Sequence, residues 1–215
     1  MQFVNLHLSR VTGSRMHQSS LDKMRGFVDE YLDGLRGQPL AILDLGSLDV
    51  NGSYRPLFDD PAWRYCGVDL ESGPNVDLVL SDPYRWPEIA AASQDVVISG
   101  QAFEHIEFFW ATLQRMAYVL RPGGLICVIA PSRGYEHRYP VDCWRFYPDG
   151  FHALARYAGL ELLSAQTQWE RLGYKRDDSD DWGDTIAVLR KPRRQSLRVR
   201  AILGLRRWLD GLALD

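Results

Sequence analysis

Acids and glycines stand where predicted strands end, which is where a parallel sheet meets its ligands. Asp44 and Gly46 lie at the end of the apolar run Ala41–Leu45, and Asp69 ends the next run, 23 residues after Gly46. A glycine lets the backbone turn tightly and approach a ligand closely, and an acid at this interval is expected to bind ribose hydroxyls. The pattern indicates a nucleotide-type site at a sheet edge. Asp82, after a third strand, either joins that site or begins an Asp-Pro turn.

A second group of chemically active residues follows the fourth predicted strand. His105 comes directly after it, where an imidazole is able to take a proton, position a substrate or be structural. We interpret the adjacent Glu104 as an acid in the first turn of a helix. The irregular stretch Pro131–Tyr147 predicts a loop that covers a substrate, and a salt-bridged surface loop is the alternative. Its candidate residues are Tyr135, His137, Arg138, Asp142, Arg145 and Tyr147.

The elements that must position these residues alternate between short β-branched apolar runs and longer helical patterns. This alternation predicts an α/β fold with a largely parallel sheet, in which ligands bind beyond the carboxyl ends of the strands. A first helix is expected to run to about Leu35, capped by Ser19 or Ser20. Further helices are expected at 106–120 and 148–158. Seven strands are predicted, at 41–45, 64–70, 75–80, 95–99, 125–130, 160–166 and 184–189.

Composition describes an ordinary folded chain and excludes several classes of protein. Of 215 residues, 46% are hydrophobic and 25% are charged, which excludes a disordered or collagen-like protein. The net charge of −3 gives no reason to expect nucleic acid as a partner. The three cysteines form no metal-binding pattern and fit a reducing compartment. Because neither a membrane span nor a signal-peptide pattern is present, we expect a cytoplasmic location, and we predict no metal site.

Five segments of the chain carry a family resemblance. They are ILDLGS (42–47), GVDL (67–70), SDPY (81–84), DVVISGQAFEHI (95–106) and VLRPGGLICVIAPS (119–132). In this order and spacing they resemble the class I S-adenosylmethionine-dependent methyltransferases of the broad small-molecule type. The resemblance runs from about 40 to 189. It implies a single Rossmann-like domain whose seven-stranded, mostly parallel sheet has an antiparallel last strand and helices on both faces.

The resemblance also implies S-adenosylmethionine as cofactor and suggests which residues contact it. Gly46 and its neighbours would hold the methionine part, Asp69 the ribose hydroxyls, and Asp82 the adenine. The role of Asp44 stays open between orienting this loop and capping a turn. The full set of expected cofactor contacts is Asp44, Gly46, Ser47, Asn51, Asp69, Leu70, Asp82, Pro83, Gln101 and Ala102.

The loop after the first strand departs from the family's usual Asp-x-Gly-x-Gly-x-Gly pattern. Leu48 and Val50 occupy the second and third glycine positions, and Gly52 alone follows. The run resembles a GS-DVNGS-R variant in one branch of these methyltransferases, in which Asn51 and Gly52 supply the turn. The missing glycines disfavour a dinucleotide-binding oxidoreductase.

The near-neutral total charge conceals an uneven distribution. Residues 191–215 contain seven Lys/Arg and two acids, a net of +5, whereas the preceding 190 residues carry −8. Apolar residues recur in the tail at helical spacing and predict a basic amphipathic helix. Through residues 193–212 it would contact an anionic membrane surface or form a homo-oligomer; docking back onto its own acidic domain is the alternative. The apolar positions are Ile202, Leu205, Leu209 and Leu212.

We therefore predict a methyltransferase domain in residues 1–190, with an N-terminal helical cap in 1–37 and a substrate lid in 131–147. The expected reaction methylates a small-molecule or glycan-like acceptor at oxygen, with His105 and His137 as candidate bases. A carboxylate or amine acceptor would need neither histidine. A methyltransferase-like cofactor-binding module without turnover is the alternative.

Overall fold

Seven strands form one sheet within residues 17–50, 52–175 and 177–213, which are the residues that the computed structural model describes. The strand order is β3-β2-β1-β4-β5-β7-β6. Neighbours among β1 to β5 are parallel, and β7 is antiparallel to both β5 and β6. The predicted sheet is thus confirmed. The strands are β1 (Leu40–Leu45), β2 (Trp63–Asp69), β3 (Leu78–Val79), β4 (Gln94–Gly100), β5 (Leu120–Ala130), β6 (Glu161–Thr167) and β7 (Thr185–Arg190).

Helices cover both faces of the sheet. On one face lies α1 (Gln18–Phe27), which continues through a π-helical turn and a short 3-10 turn to Leu35. On the other lie α2 (Phe109–Val119) and α3 (Pro148–Ala158), and the chain adds the short α4 (Ser179–Trp182) and a long α5 (Leu197–Ala213). Alternation along β1 explains the two layers, because Ile42 packs with α1 whereas Leu43 and Leu45 pack with α2 and α3.

The bounds of two helices follow from local sequence. Pro148 opens α3 and Gly159, with φ +68°, ends it, as proline and glycine do at helix termini. The helix predicted at 106–120 begins only at Phe109, because Phe103–His105 form a separate 3-10 turn.

The third strand is shorter than the predicted 75–80. Asn75 has φ +69°, which takes it out of extended conformation, so pairing is confined to Leu78–Val79. A Cβ at Gly67 would lie 2.1 Å from the carbonyl oxygen of Asn75. The turn therefore depends on the glycine beneath it.

The prediction that Ser19 or Ser20 caps the first helix is wrong. His17 precedes the first turn, and both serines lie inside α1 with their side chains buried. The Ser19 hydroxyl donates to Asp184 at 2.9 Å, and the Ser20 hydroxyl lies 2.5 Å from that of Tyr54. These hydroxyls tie α1 to the rest of the domain.

The structure describes the predicted helical cap in 1–37 in part and the predicted loop 131–147 in full. Residues 1–16 of the predicted helical cap lie outside the described residues, and α1 with its continuation accounts for the remainder. Residues 131–147 contain no helix or strand, as predicted. Among the described helices, none is long and apolar enough to span a bilayer.

Candidate functional site

The ends of β1 and β4 are in close contact at the carboxyl edge of the sheet. A Cβ added at Gly46 would lie 2.6 Å from the Cβ of Ala102. Gly46 also has φ +77°, a conformation that side chains disfavour. Its N–H donates to the Val68 carbonyl at 3.0 Å. Position and conformation therefore both require glycine, as the cofactor-loop prediction implies.

We expect Gly46→Ala to lower the free energy of unfolding by about 1–3 kcal/mol, through backbone strain and the collision with Ala102. Adding Ala102→Gly should remove the collision and leave the strain, so the double variant should regain part of the loss. Denaturant unfolding of both single variants and the double variant measures this. A G46A protein as stable as the wild type would contradict the account.

Asp69 fastens the loop after β1 to the end of β2. Its Oδ2 accepts the N–H of Leu48 at 3.0 Å, and its Oδ1 accepts those of Leu70 and Glu71 at 2.7 and 3.3 Å. A carboxylate accepts about four hydrogen bonds, so capacity remains for a ligand hydroxyl. Leu70 beside it is 51% exposed, a large apolar side chain that a bound ring would cover.

Asp44 is an internal carboxyl group of β1. It is 2% exposed, and the Tyr65 hydroxyl donates to its Oδ2. Burial raises the pKa of Asp44 to about 7, against the opposing effects of Tyr65 and Arg55. The side chain thus bonds across to β2, and this contact is not that of a turn cap.

The side chain of Ser47 is engaged within the protein. Its hydroxyl donates to the Asn75 carbonyl at 3.3 Å, and the Asn75 amide donates to the Ser47 carbonyl at 2.8 Å. This pair joins the loop after β1 to the turn before β3. The Asn51 side chain predicted beside it lies outside the described residues.

Asp82 begins a turn, as the alternative interpretation of the sequence has it. Its Oδ1 accepts the N–H groups of Tyr84 and Arg85 at 2.7 and 2.8 Å. The carbonyl of Pro83 accepts the indole N–H of Trp86 at 3.2 Å. Contact of Asp82 and Pro83 with adenine stays a prediction.

Gln101, the first residue after β4, is held between the sheet and α1. Its φ is +56°, its N–H donates to Ile129 at 2.8 Å, and its side-chain amide donates to the Ser20 hydroxyl at 3.2 Å. Ser20 in turn bonds Tyr54, whose hydroxyl would lie 2.1 Å from a Cβ at Gly100. The sequence analysis did not identify Tyr54. Gly100, at the end of β4, could have indicated that another side chain packs closely there.

His105 and His137, 32 residues apart in the chain, are brought together. Their ring centroids are 4.8 Å apart and their planes cross at 79°. The Nδ1 of His105 lies 2.5 Å from the Val141 carbonyl, so in the neutral ring Nδ1 carries the hydrogen and Nε2 the lone pair. Burial lowers the pKa of His137, which keeps it neutral at pH 7.

Glu104 lies next to this histidine pair and is an acid in the first turn of a helix, as interpreted from the sequence. It belongs to the 3-10 turn before α2, and 1% of its surface is exposed. Its Oε1 is 3.7 Å from the Nε2 of His105, and its Oε2 has no hydrogen-bond partner in the described part of the chain. Burial raises the pKa of Glu104 to about 8.

Asp142 and Arg145 brace the loop 131–147. Arg145 contacts both carboxylate oxygens of Asp142, at 2.6 and 2.9 Å, and donates to the carbonyls of Arg133 and Tyr135. This ion pair holds the pKa of Asp142 well below its usual range. Asp142 also accepts the N–H of His137 at 2.8 Å. Both predicted substrate residues therefore position the loop and His137.

The remaining loop candidates lie on its outer surface. Tyr135 and Tyr147 are 63% and 47% exposed, and Arg138 forms an ion pair within the loop. The Tyr135 ring packs 4.9 Å from Trp182, which also lies 4.6 Å from the His137 ring. Sequence reasoning missed Trp182, because it stands 45 residues after His137 in a polar segment.

Comparison with known proteins identifies related domains. Residues 43–128 match a family model described as a methyltransferase domain. A Burkholderia thailandensis 1,6-didemethyltoxoflavin-N1-methyltransferase, solved with its substrate and S-adenosylhomocysteine, is 17% identical, with 82% of this chain and 79% of that chain covered and a TM-score of 0.63. No curated protein matches.

Two further solved structures share the fold. One is the methyltransferase partner of the Haloferax volcanii Trm112 activator, 18% identical over 82% of this chain and 90% of that chain, with a TM-score of 0.58. The other is a [4+2]-cyclase, 17% identical over 80% of each chain, with a TM-score of 0.56. The matched segment runs from β1 into β5, the strands that carry Gly46, Asp69 and Gln101. The chain therefore matches the methyltransferase-domain family over residues 43–128 and shares its fold with solved methyltransferases.

Proposed function

We propose that the enzyme methylates a hydroxyl oxygen of a small-molecule or glycan-like acceptor. The observation that carries this is the pairing of His105 and His137 just beyond β4. A hydroxyl must lose its proton when it is methylated, and a neutral imidazole supplies the lone pair that accepts it. An amine or carboxylate acceptor would need less help from a proton-accepting group, so it would not require this pair.

The residues at the sheet edge fit the cofactor. The close Gly46–Ala102 contact leaves backbone, without side chains, to face its methionine part. Asp69 has acceptor capacity for ribose hydroxyls, and the exposed Leu70 would cover a ring face. When bound, the cofactor supplies an electrophilic methyl group on a sulfonium.

The lid residues would orient the acceptor. The Asp142–Arg145 brace and the Trp182 ring hold His137, and the Val141 carbonyl holds His105. Fixed groups of this kind let an enzyme align its reactants, which contributes about 7–11 kcal/mol to a bimolecular reaction. In this arrangement His105 Nε2 accepts the hydroxyl proton.

Exposed rings support a glycan-like acceptor. Tyr147 stacks on Trp169 with centroids 6.0 Å apart, and the tryptophan is 61% exposed. Tyr135 adds another exposed ring on the same loop. Aromatic rings with one polar edge suit the mixed apolar and hydroxyl surface of a sugar.

Methyl transfer from deuterium-labelled S-adenosylmethionine tests this proposal. Matched acceptors, a sugar and its amino-sugar analogue, are compared by mass spectrometry of the products. We expect labelling of a hydroxyl oxygen. Labelling of the amine alone would contradict the proposal, and cofactor binding without transfer to any acceptor would favour the module without turnover.

We further propose that α5 rests on an anionic membrane surface, because it docks on the domain through polar side chains and Leu203 while its other apolar side chains face outward. Arg206 and Arg207 pack over the rings of Tyr157 and Tyr118, at 4.9 and 4.8 Å, and Gln114 donates to Asp210 at 2.7 Å. The outward side chains, from 41% to 79% exposed, are Leu197, Ile202, Leu205, Trp208 and Leu209.

The charges around this face favour lipid over a second copy of the chain. Arg193, Arg194, Arg198 and Arg200 are exposed in the same C-terminal segment. Arginines would repel their counterparts in an identical subunit, whereas they attract anionic headgroups. An apolar face with tryptophan and flanking arginines is typical of helices that lie in the membrane interface.

Vesicle sedimentation tests the membrane contact. We expect binding to vesicles that contain phosphatidylserine, weaker binding to pure phosphatidylcholine, and loss of binding in Leu205→Glu/Trp208→Glu. Leu172→Glu, at an exposed leucine outside α5, is the matched control and should bind normally. Binding that survives the double change, or a dimer in solution that this change dissociates, would contradict the membrane proposal.

A further inference from the structure

Three potential metal ligands meet where the loop 131–147 contacts the turn after β4. Glu104, His105 and His137 each offer a donor atom, and these atoms lie within 4.8 Å of one another. Within the described residues, Glu104 Oε2 and His137 Nδ1 are buried without hydrogen-bond partners. A buried polar atom left unpaired costs about 1–3 kcal/mol, so two in one cluster indicate an external partner.

Both imidazoles are oriented by other groups, as metal-binding histidines usually are. The contact of His105 Nδ1 with the Val141 carbonyl leaves Nε2 as the donor, 3.7 Å from a carboxyl oxygen of Glu104. His137 Nδ1 lies 3.3 Å from an Asp142 oxygen, outside hydrogen-bond geometry. Asp142 therefore lies beside the ring, while Nδ1 has no hydrogen bond within the described residues.

We propose that Glu104, His105 and His137 bind a divalent first-row transition-metal cation. Two imidazoles and one carboxylate suit zinc and its neighbours in the series. Ligands about 2.1 Å from a tetrahedral ion are about 3.4 Å apart, so donors that lie up to 4.8 Å apart must close by up to about 1.4 Å. The His137 side chain is 29% exposed, which gives the ion a route from solvent.

This inference rests on the proposed function, since three protein ligands leave a coordination position for the acceptor oxygen. A hydroxyl bound to the cation at that position would have a lowered pKa, and its proton would pass to water. The two histidines then serve as ligands, and the general-base role assigned to His105 above passes to solvent.

Titration of chelator-treated, tag-free protein with Co²⁺ tests the site without any methyl transfer. We expect one equivalent to bind with visible d–d absorption, and Zn²⁺ to displace it. Glu104→Gln, His105→Ala and His137→Ala should each weaken binding by more than about 100-fold, beyond the roughly 10–100-fold that the loss of an outer-shell partner usually costs. His152→Ala, at an exposed histidine of α3, should bind Co²⁺ normally.

Two results would overturn the site: no stoichiometric Co²⁺ binding by the wild type, or binding that survives the combined loss of both histidines. S-adenosylhomocysteine binding by each variant establishes that it is folded. The proposed function fails separately, if Co²⁺ binds as expected but no hydroxyl acceptor is methylated. Hydroxyl methylation unaffected by chelator, without Co²⁺ binding, contradicts the metal site alone.

Discussion

Replacing Asp69 by alanine is expected to weaken S-adenosylmethionine binding by about 10- to 100-fold. A hydrogen bond from a ribose hydroxyl to a carboxylate contributes about 1.5–3 kcal/mol, and about 1.4 kcal/mol corresponds to a tenfold change in affinity. Asp69 has capacity for one such bond beside the three N–H groups that it already accepts. The change also frees the N–H groups of Leu48, Leu70 and Glu71, which loosens the loop that faces the cofactor.

Equilibrium dialysis with labelled S-adenosylmethionine measures this affinity. The matched control is Glu71→Gln, which removes an exposed acid two residues away and should leave the affinity unchanged. Thermal unfolding separates weaker binding from loss of the fold. Equal affinity in a folded D69A protein and the wild type would place the ribose elsewhere.

Replacing His105 by alanine is expected to lower kcat by about 10²–10⁴-fold, the range for a group that handles a proton in the transition state. His105 lies beside His137 and Glu104 just beyond β4. Loss of its ring removes the lone pair at Nε2, whether that nitrogen takes the proton or holds a cation. Steady-state turnover with a hydroxyl acceptor is the measurement.

The control for this variant is His152→Ala, which removes an exposed histidine on α3 and should retain normal turnover. Cofactor affinity should also be retained in H105A, because the cofactor contacts that we expect involve Gly46, Asp69 and Gln101 and not His105. Turnover of H105A within threefold of the wild type would exclude His105 from the reaction.

Sheet and helix positions were predictable wherever local sequence decides them. The β1, β4 and β5 strands are apolar runs whose side chains fill two cores, and α3 has proline and glycine at its ends. Predictions failed where a contact between residues distant in sequence determines the local conformation. Asn75 ends extended structure because its carbonyl lies over Gly67, and Ser20 points to Tyr54, so it does not cap its helix.

Site residues were also predictable only where local sequence determines their position. Asp69 and Gly46 were predictable, since strand ends place them at the carboxyl edge of a parallel sheet. The approach of His137 to His105 was not, because an irregular loop with its own Asp142–Arg145 brace positions it. The spacing of residues along the chain does not indicate that this loop brings His137 against His105.

The tail shows what amphipathic periodicity leaves open. The spacing of Leu205 and Leu209 predicts one apolar face. The apolar face of a surface helix usually packs against the core of its domain. The structure docks α5 through Leu203 together with Arg206, Arg207 and Asp210, and leaves Leu205 and Leu209 exposed. Which face docks depends on tyrosines of α2 and α3, which the periodicity of the tail does not contain.

Amide hydrogen exchange with and without S-adenosylhomocysteine tests most directly the claim that the cofactor binds at the carboxyl ends of β1, β2 and β4. It reports the occupied surface along the whole chain. The account predicts slower exchange at 45–50, 69–71 and 100–105, with exchange in α3 and α5 unchanged. Unchanged exchange at these three segments while S-adenosylhomocysteine is bound would contradict it.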